Sequence, residues 1–180
     1  MKMLMFDFRE SEKAYFEKHG SNGLDIDFIK EPLNELTNLT EEQLNNTDII
    51  SVFISSDVTE NVIKKFKNIR IITTRSTGYD HIDTDYCARN NIAVFNVEHY
   101  GETAVAQFTF LLILSLLRKF ISAYLDVQRS LIKHMNYEGR ILNNMSIGII
   151  GCGSIGSAVA KIANTFNMKI YIIIKKNKLY

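Results

Sequence analysis

The stretch from Ser146 to Gly156, "SIGIIGCGSIG", constrains the fold of this chain more than any other. A strand-like run enters three glycines, Gly151, Gly153 and Gly156, spaced G-x-G-x-x-G, and a helix-like segment leaves them. The spacing alone is weak, but a strand before it and a helix after it are the context that a phosphate-binding turn requires. Gly151 would allow the tight turn, Gly153 the approach of a pyrophosphate to the backbone, and Gly156 the close packing of helix on strand. The amides of Ser154 and Ile155 then fall at a helix N-terminus, where the dipole favours an anion. Ile155, Ala158, Val159, Ile162, Ala163 and Phe166 form the expected buried stripe. The alternative is a glycine turn that holds no ligand. Cys152 is either a small residue at a tolerant position or a thiol whose pKa the helix end lowers. A dinucleotide fold needs two βαβαβ halves, and 24 residues follow Gly156. Most of that domain is therefore expected to be missing.

Upstream, short apolar runs alternate with helical segments. Strands are expected at Lys2–Phe8, Leu24–Ile29, Ile49–Ile54, Ile69–Arg75 and Ile92–Val97. Between them, Thr40 and Gln43 make a capping box, Thr59 caps "ENVIKKFKN", and Asp83 caps "TDYCARN". This alternation predicts a doubly wound parallel sheet. The expected organisation is bipartite, with residues 1–99 as an open α/β domain and 100–180 as the start of a second.

The segment "TAVAQFTFLLILSLLRKF" is the most apolar in the chain. Its core, Ala104–Leu117, would be about 21 Å long as a helix, short of a hydrocarbon layer of about 30 Å. It is expected to be a buried helix, partly covered by another subunit, and no membrane partner is expected. A mixed helix, "SAYLDVQRSLIKH", follows it. The net charge of +1 offers no basis for nucleic-acid binding. Cys87 and Cys152 form no disulfide framework, and no leader-like segment is read, so a reducing cytoplasm is the expected compartment. No metal site is expected.

Three stretches occur in an order that resembles a known family: "TRSTGYDHID" (74–83), "NVEHYGETAVAQFTFLLILSLLRK" (96–119) and "IGIIGCGSIG". Together they resemble the D-isomer-specific 2-hydroxyacid dehydrogenases, and the tyrosine after "VEH" makes the chain most similar to the D-lactate dehydrogenase branch. The resemblance covers roughly residues 1–173. It implies a flavodoxin-like parallel-sheet substrate domain, lacking its C-terminal completion, followed by the first βαβ unit of a Rossmann NAD-binding domain. It also implies substrate-binding roles for Phe53, Ser76, Thr77, Gly78 and Tyr100. The amides of residues 76–78 would meet the carboxylate, Phe53 would line the side-chain pocket, and Tyr100 would reach in from the hinge. Cofactor-binding roles fall to Val105, Gly151, Gly153, Ser154, Ile155 and Gly156, and the implied cofactor is NAD. Other readings stay open: Tyr100 as a cap on the domain junction, Phe53 as plain core, and "GYDHID" as a strand-to-helix turn.

The resemblance implies an oxidoreductase that interconverts a small 2-hydroxy acid and its 2-keto acid, as in D-lactate and pyruvate. It further implies a homodimer through helix 104–117, or a heterodimer with a full-length relative. The chain departs from the family pattern at Glu98, where proline is usual, and at Gln107, where glutamate is common. No Asp or Glu follows Ser157. Either Lys175 or Lys176 replaces the ribose-binding acid and favours a phosphorylated ribose, or "KKNKLY" is a tail without that role. The family's catalytic arginine, glutamate and histidine would lie beyond the chain end, so the chain is expected to be inactive alone. His81 and His99 are weak substitutes, Arg75 is read as a packing or ion-pair residue, and His19 and His134 lie outside every motif. The alternative class is a non-catalytic binding or regulatory fragment, or a gene remnant, with "KIYIII" as an unprotected sheet edge.

Overall fold

The computed structural model describes residues 1–130 and 137–174. The chain divides into two compact units, Met1–Glu98 and His99–Tyr180.

The first unit is a five-stranded parallel sheet. Its strands are β1 (Lys2–Phe6), β2 (Asp25–Ile29), β3 (Ile49–Val52), β4 (Ile71–Thr74) and β5 (Ala93–Phe95). They lie in the order β2-β1-β3-β4-β5, the flavodoxin-like arrangement, whose switch point lies between β1 and β3. Val52 of β3 pairs with Thr74 of β4, so the loops after these strands leave side by side.

The strands are shorter than the apolar runs suggest, for local reasons. Asp7 takes a left-handed conformation with φ 50° and ends β1 two residues before Phe8. Helices α1 (Glu10–His19), α2 (Glu41–Asn46), α3 (Glu60–Ile63) and α4 (Thr84–Arg89) fill the crossovers. Thr40 and Gln43 exchange bonds of 3.1 and 3.0 Å, and Asp83 accepts from the Tyr86 amide at 2.8 Å. The helix expected over residues 60–68 stops at Ile63. The amides of Lys65 and Phe66 turn to the carbonyls three residues back, which tightens the chain and buries Phe66. Leu4, Phe6, Ile50, Val52 and Ile72 are fully buried at the sheet centre, each stabilising by about 1.5–3 kcal/mol relative to exposure.

The second unit holds α5 (Glu102–Leu117), α6 (Phe120–Gln128), β6 (Ser146–Ile150), α7 (Ser154–Thr165) and β7 (Lys169–Ile173). Strands β6 and β7 pair in parallel, Ser146 with Lys169 through Ile150 with Ile173. Ala106 and Phe110 of α5 share a core with Val159 and Ala163 of α7, and Phe110 stacks on Phe166 at 5.5 Å. The stripe on α7 is narrower than expected. Val159 and Ala163 are buried, whereas Ile155 and Phe166 are exposed at 45% and 37%.

Helix α5 is expected to be covered partly by another subunit, and within this chain it is covered along one side. In α5, Ala106 and Phe110 alone are buried, while Phe108, Leu111, Leu112 and Leu116 are exposed. Lys119, with φ 51°, breaks α5 from α6, and the two axes bend by 67°. Among the described residues no single helix is long and apolar enough to cross a membrane. Residues 131–134 of the expected mixed helix, His134 included, lie outside the described residues, as do Lys175 and Lys176.

Candidate functional site: an amide cradle and a glycine loop

In the first unit the strand ends converge on Ser76, Thr77 and Gly78, which follow β4. All three carbonyls of this loop are taken by protein donors. The Val97 amide donates to Ser76 O at 3.0 Å, Asn96 Nδ2 to Thr77 O at 2.8 Å, and Ser76 Oγ to Gly78 O at 2.7 Å. Thr77 Oγ1 adds a bond to Val97 O at 3.0 Å. The amides of residues 76–78 have no acceptor among the described residues. A turn with its carbonyls tied back and its N–H groups unclaimed has donors to offer an anion. It stands at the carboxyl ends of parallel strands, where ligands bind in open α/β sheets.

Arg75 braces the neighbouring strand ends. Its Nε meets Glu12 Oε1 at 2.8 Å, and its other nitrogens donate to Ser51 Oγ at 3.1 Å and to the carbonyls of Phe6 and Asp7 at 2.9 and 2.8 Å. A guanidinium committed to four partners is structural, as the sequence suggests. Phe53 leaves β3 half-buried, with Arg9 over its ring at 5.4 Å and Arg75 at 5.9 Å. Both contacts fall within the range of cation–π attraction.

Behind the cradle lies a feature the sequence reading missed. Thr74 Oγ1 is 2.6 Å from Ser76 Oγ and 3.2 Å from His81 Nε2. Thr74 is fully buried and Ser76 is 3% exposed. The available signal is the i, i+2 spacing of Thr74 and Ser76, which puts two hydroxyls on one face of an extended segment. Burial pushes the His81 pKa below its ordinary value, while Asp80 and Asp57 act in the opposite sense.

In the second unit the glycine loop has the form that its spacing suggests. Gly151 adopts φ 90°, and a side chain on Gly156 would meet the Gly151 carbonyl oxygen at 2.2 Å. A side chain on Gly153 would meet nothing within 4 Å, leaving open space before α7. Ser154 and Ile155 open α7, and their amides lie in the first turn, which has no intrahelical acceptor. A dinucleotide pyrophosphate fits this geometry. Cys152 Sγ is 3.5 Å from Ser157 Oγ, so the thiol takes part in the turn.

Tyr100 and Val105 are exposed, just before α5 and in its first turn. Glu102 accepts from His99 Nδ1 at 2.6 Å, and the Ser154 side chain also donates to it. The His99 bond, helped by Ser154, holds the Glu102 carboxyl below the usual range, against a smaller desolvation effect. Of the expected site residues, Phe53 and Ser76–Gly78 belong to the first unit, and Tyr100, Val105 and residues 151–156 to the second.

A flavodoxin-like sheet whose β4 loop leaves its amides unclaimed, followed by a strand–glycine loop–helix of dinucleotide type, is the architecture of a class of two-unit α/β proteins. Residues 3–175 match the family model described as "D-isomer specific 2-hydroxyacid dehydrogenase, catalytic domain". The chain belongs to the D-isomer specific 2-hydroxyacid dehydrogenase family. It is 33% identical over 164 residues to "2-hydroxyacid dehydrogenase homolog 1" of Schizosaccharomyces pombe, covering 89% of this chain and 48% of that protein. It is 30% identical over 177 residues to "D-lactate dehydrogenase kk1H" of Curvularia clavata, covering 94% and 50%. Among solved structures, D-lactate dehydrogenase from Aquifex aeolicus, complexed with NAD and lactic acid, superposes with a TM-score of 0.85. It is 26% identical, with 97% of this chain and 56% of that one covered. The chain spans about half the length of the curated relatives it matches.

Proposed function

We propose that this chain supplies the acid-binding cradle and the pyrophosphate loop of a nicotinamide-dependent 2-hydroxyacid dehydrogenase, acting on a small acid of the lactate and pyruvate type. The observation that carries the reading is the Ser76–Gly78 loop, with every carbonyl bonded within the protein and its amides unclaimed. Those amides receive the substrate carboxylate. Phe53, steadied by Arg9 and Arg75, lines the side-chain pocket; a substrate-binding role for Tyr100 rests on the family resemblance alone.

NAD is the proposed cofactor. Bound, it would exchange a hydride with C2 of the substrate. Ser154 and Ile155 would hold its pyrophosphate by their amides, Gly151, Gly153 and Gly156 keep the loop backbone close, and Val105 flanks the nicotinamide. The reaction also needs a proton carrier for the substrate oxygen. His81 Nε2 is directed at Thr74 and His99 at Glu102, so neither is assigned that task. The chain alone is accordingly proposed to bind acid and dinucleotide without turnover.

Calorimetric titration with pyruvate and with pyruvamide, which lacks the carboxylate, tests the reading. Saturable binding of pyruvate and none of pyruvamide is expected. Equal binding of the two, or none of either, refutes it.

A second reading, a non-catalytic chain that pairs with another copy or with a full-length relative, is favoured by the exposed Phe108, Leu111, Leu112 and Leu116 of α5. Sedimentation of the chain, alone and mixed with such a relative, tests it. A strictly monomeric, non-associating chain counts against it.

A further inference from the structure

We propose that His81 is the positioning residue of the acid cradle, acting through a one-way hydrogen-bond chain that ends on the Gly78 carbonyl. The inference rests on the reading of Ser76–Gly78 as the carboxylate site. The direction of the chain follows from counting protons. A hydroxyl has one proton to donate and two lone pairs to accept with. The Gly78 carbonyl can only accept, so Ser76 spends its proton there. Ser76 Oγ therefore accepts from Thr74 Oγ1 at 2.6 Å. The Thr74 proton is then spent as well, so His81 Nε2, 3.2 Å away, must carry a hydrogen and donate it. The sequence reads His81 Nε2–H to Thr74 to Ser76 to Gly78 O.

The imidazole is aimed by its backbone. The Val58 amide donates to His81 O at 2.8 Å and the Asp83 amide to Val58 O at 3.0 Å. These bonds clamp residues 81–83 against the segment before α3. At the other end, the chain fixes the one cradle carbonyl that neither Val97 nor Asn96 reaches. Without the His81 donor, the buried Thr74 hydroxyl loses its inner partner and is free to turn. Ser76 can then leave the Gly78 carbonyl, and the peptide between Gly78 and Tyr79 can rotate its oxygen toward the anion site. A carbonyl oxygen there repels a carboxylate.

The test is nitrogen-15 NMR of the full chain with pyruvate as the probe. In the parent, the His81 ring at neutral pH is expected as the tautomer with hydrogen on Nε2. A ring with its hydrogen on Nδ1 overturns the proposal without any variant. His81→Phe keeps a ring and removes the donor. It is expected to move the Thr77 and Gly78 amide resonances of the ligand-free protein and to weaken pyruvate about tenfold, about 1.4 kcal/mol. His81→Gln places an amide donor near the Nε2 position and is expected to restore both. A phenylalanine variant with parent-like resonances, or a glutamine variant no better than phenylalanine, overturns the proposal. If His81→Phe moves the ligand-free amides and His81→Gln restores them, while pyruvate leaves the parent cradle unshifted, the positioning role stands and the carboxylate reading fails.

Discussion

Alanine at Gly153 and alanine at Gly156 should fail in different ways, and the pair separates the folding role of the loop from its binding role. At Gly156 the added carbon would sit 2.2 Å from the Gly151 carbonyl oxygen, against the 3.0 Å below which such contacts essentially do not occur. The obstructing atom is backbone, so no rotamer change relieves it, and α7 or the loop must shift by most of an ångström. Overpacking of this kind costs about 1–3 kcal/mol, offset by about 1 kcal/mol of helix propensity gained in replacing glycine. A 2.2 Å clash with backbone falls in the upper part of that range, about 2–3 kcal/mol, so a net loss of about 1–2 kcal/mol is expected. At Gly153 the backbone is extended, with φ −76° and ψ −160°, and nothing lies within 4 Å of the added carbon. Alanine there should leave stability unchanged or raise it by about 0.4–1 kcal/mol, through a less flexible unfolded chain. The same methyl would stand where a pyrophosphate approaches the backbone, so NADH affinity should fall at least tenfold, about 1.4 kcal/mol. Urea unfolding followed by circular dichroism reads the first effect, and NADH fluorescence titration reads the second. A Gly156→Ala chain with the parent midpoint, or a Gly153→Ala chain that binds NADH as the parent does, would refute the reasoning.

Arg75→Met removes the donors that hold Glu12, Ser51 and the carbonyls of Phe6 and Asp7. It should cost about 2–3 kcal/mol in urea unfolding, and a parent-like midpoint would show that the brace carries no weight. Burial holds the His81 pKa below its ordinary 6.5, so the unfolded chain takes up that proton more readily than the folded one. The stability involved is fully present above pH 6.5 and is lost as pH falls through the folded value. Thermal unfolding from pH 8 to 5 should show a shallower acid loss in His81→Gln, and parallel curves would sink the assignment. Asp83→Ala removes the cap on the Tyr86 amide and should cost about 1 kcal/mol, with Asp83→Asn close to the parent. Equal midpoints for alanine and the parent would show that the cap is dispensable.

The alternation of apolar runs and capped helices made the five parallel strands and their caps legible in advance. Strand order did not follow from the strands' own residues; it came with the flavodoxin-like fold that the resemblance implied. Boundaries erred where a single backbone conformation overrides composition. Asp7 takes a left-handed angle inside a run whose apolar character continues past it to Phe8. On α5, Phe108 and Leu116 are as hydrophobic as Phe110, so apolar content does not tell which residues this chain covers; only the packing partner does. In the site, the glycine loop was readable because its residue type and spacing are the mechanism. The His81–Thr74–Ser76 chain was not, because it depends on where a loop returns its imidazole after Gly78.

The strand order also bears on how the first unit is made. Read outward as β2-β1-β3-β4-β5, the sheet never requires a new strand to be inserted between two that are already paired. On the ribosome, β2 joins one edge of β1, β3 joins the other, and β4 and β5 extend that side in turn. Each crossover is complete before the next strand emerges, at about 5–20 residues per second. The sheet can therefore grow by edge addition as it is translated, with each pairing in place before the next can compete for it.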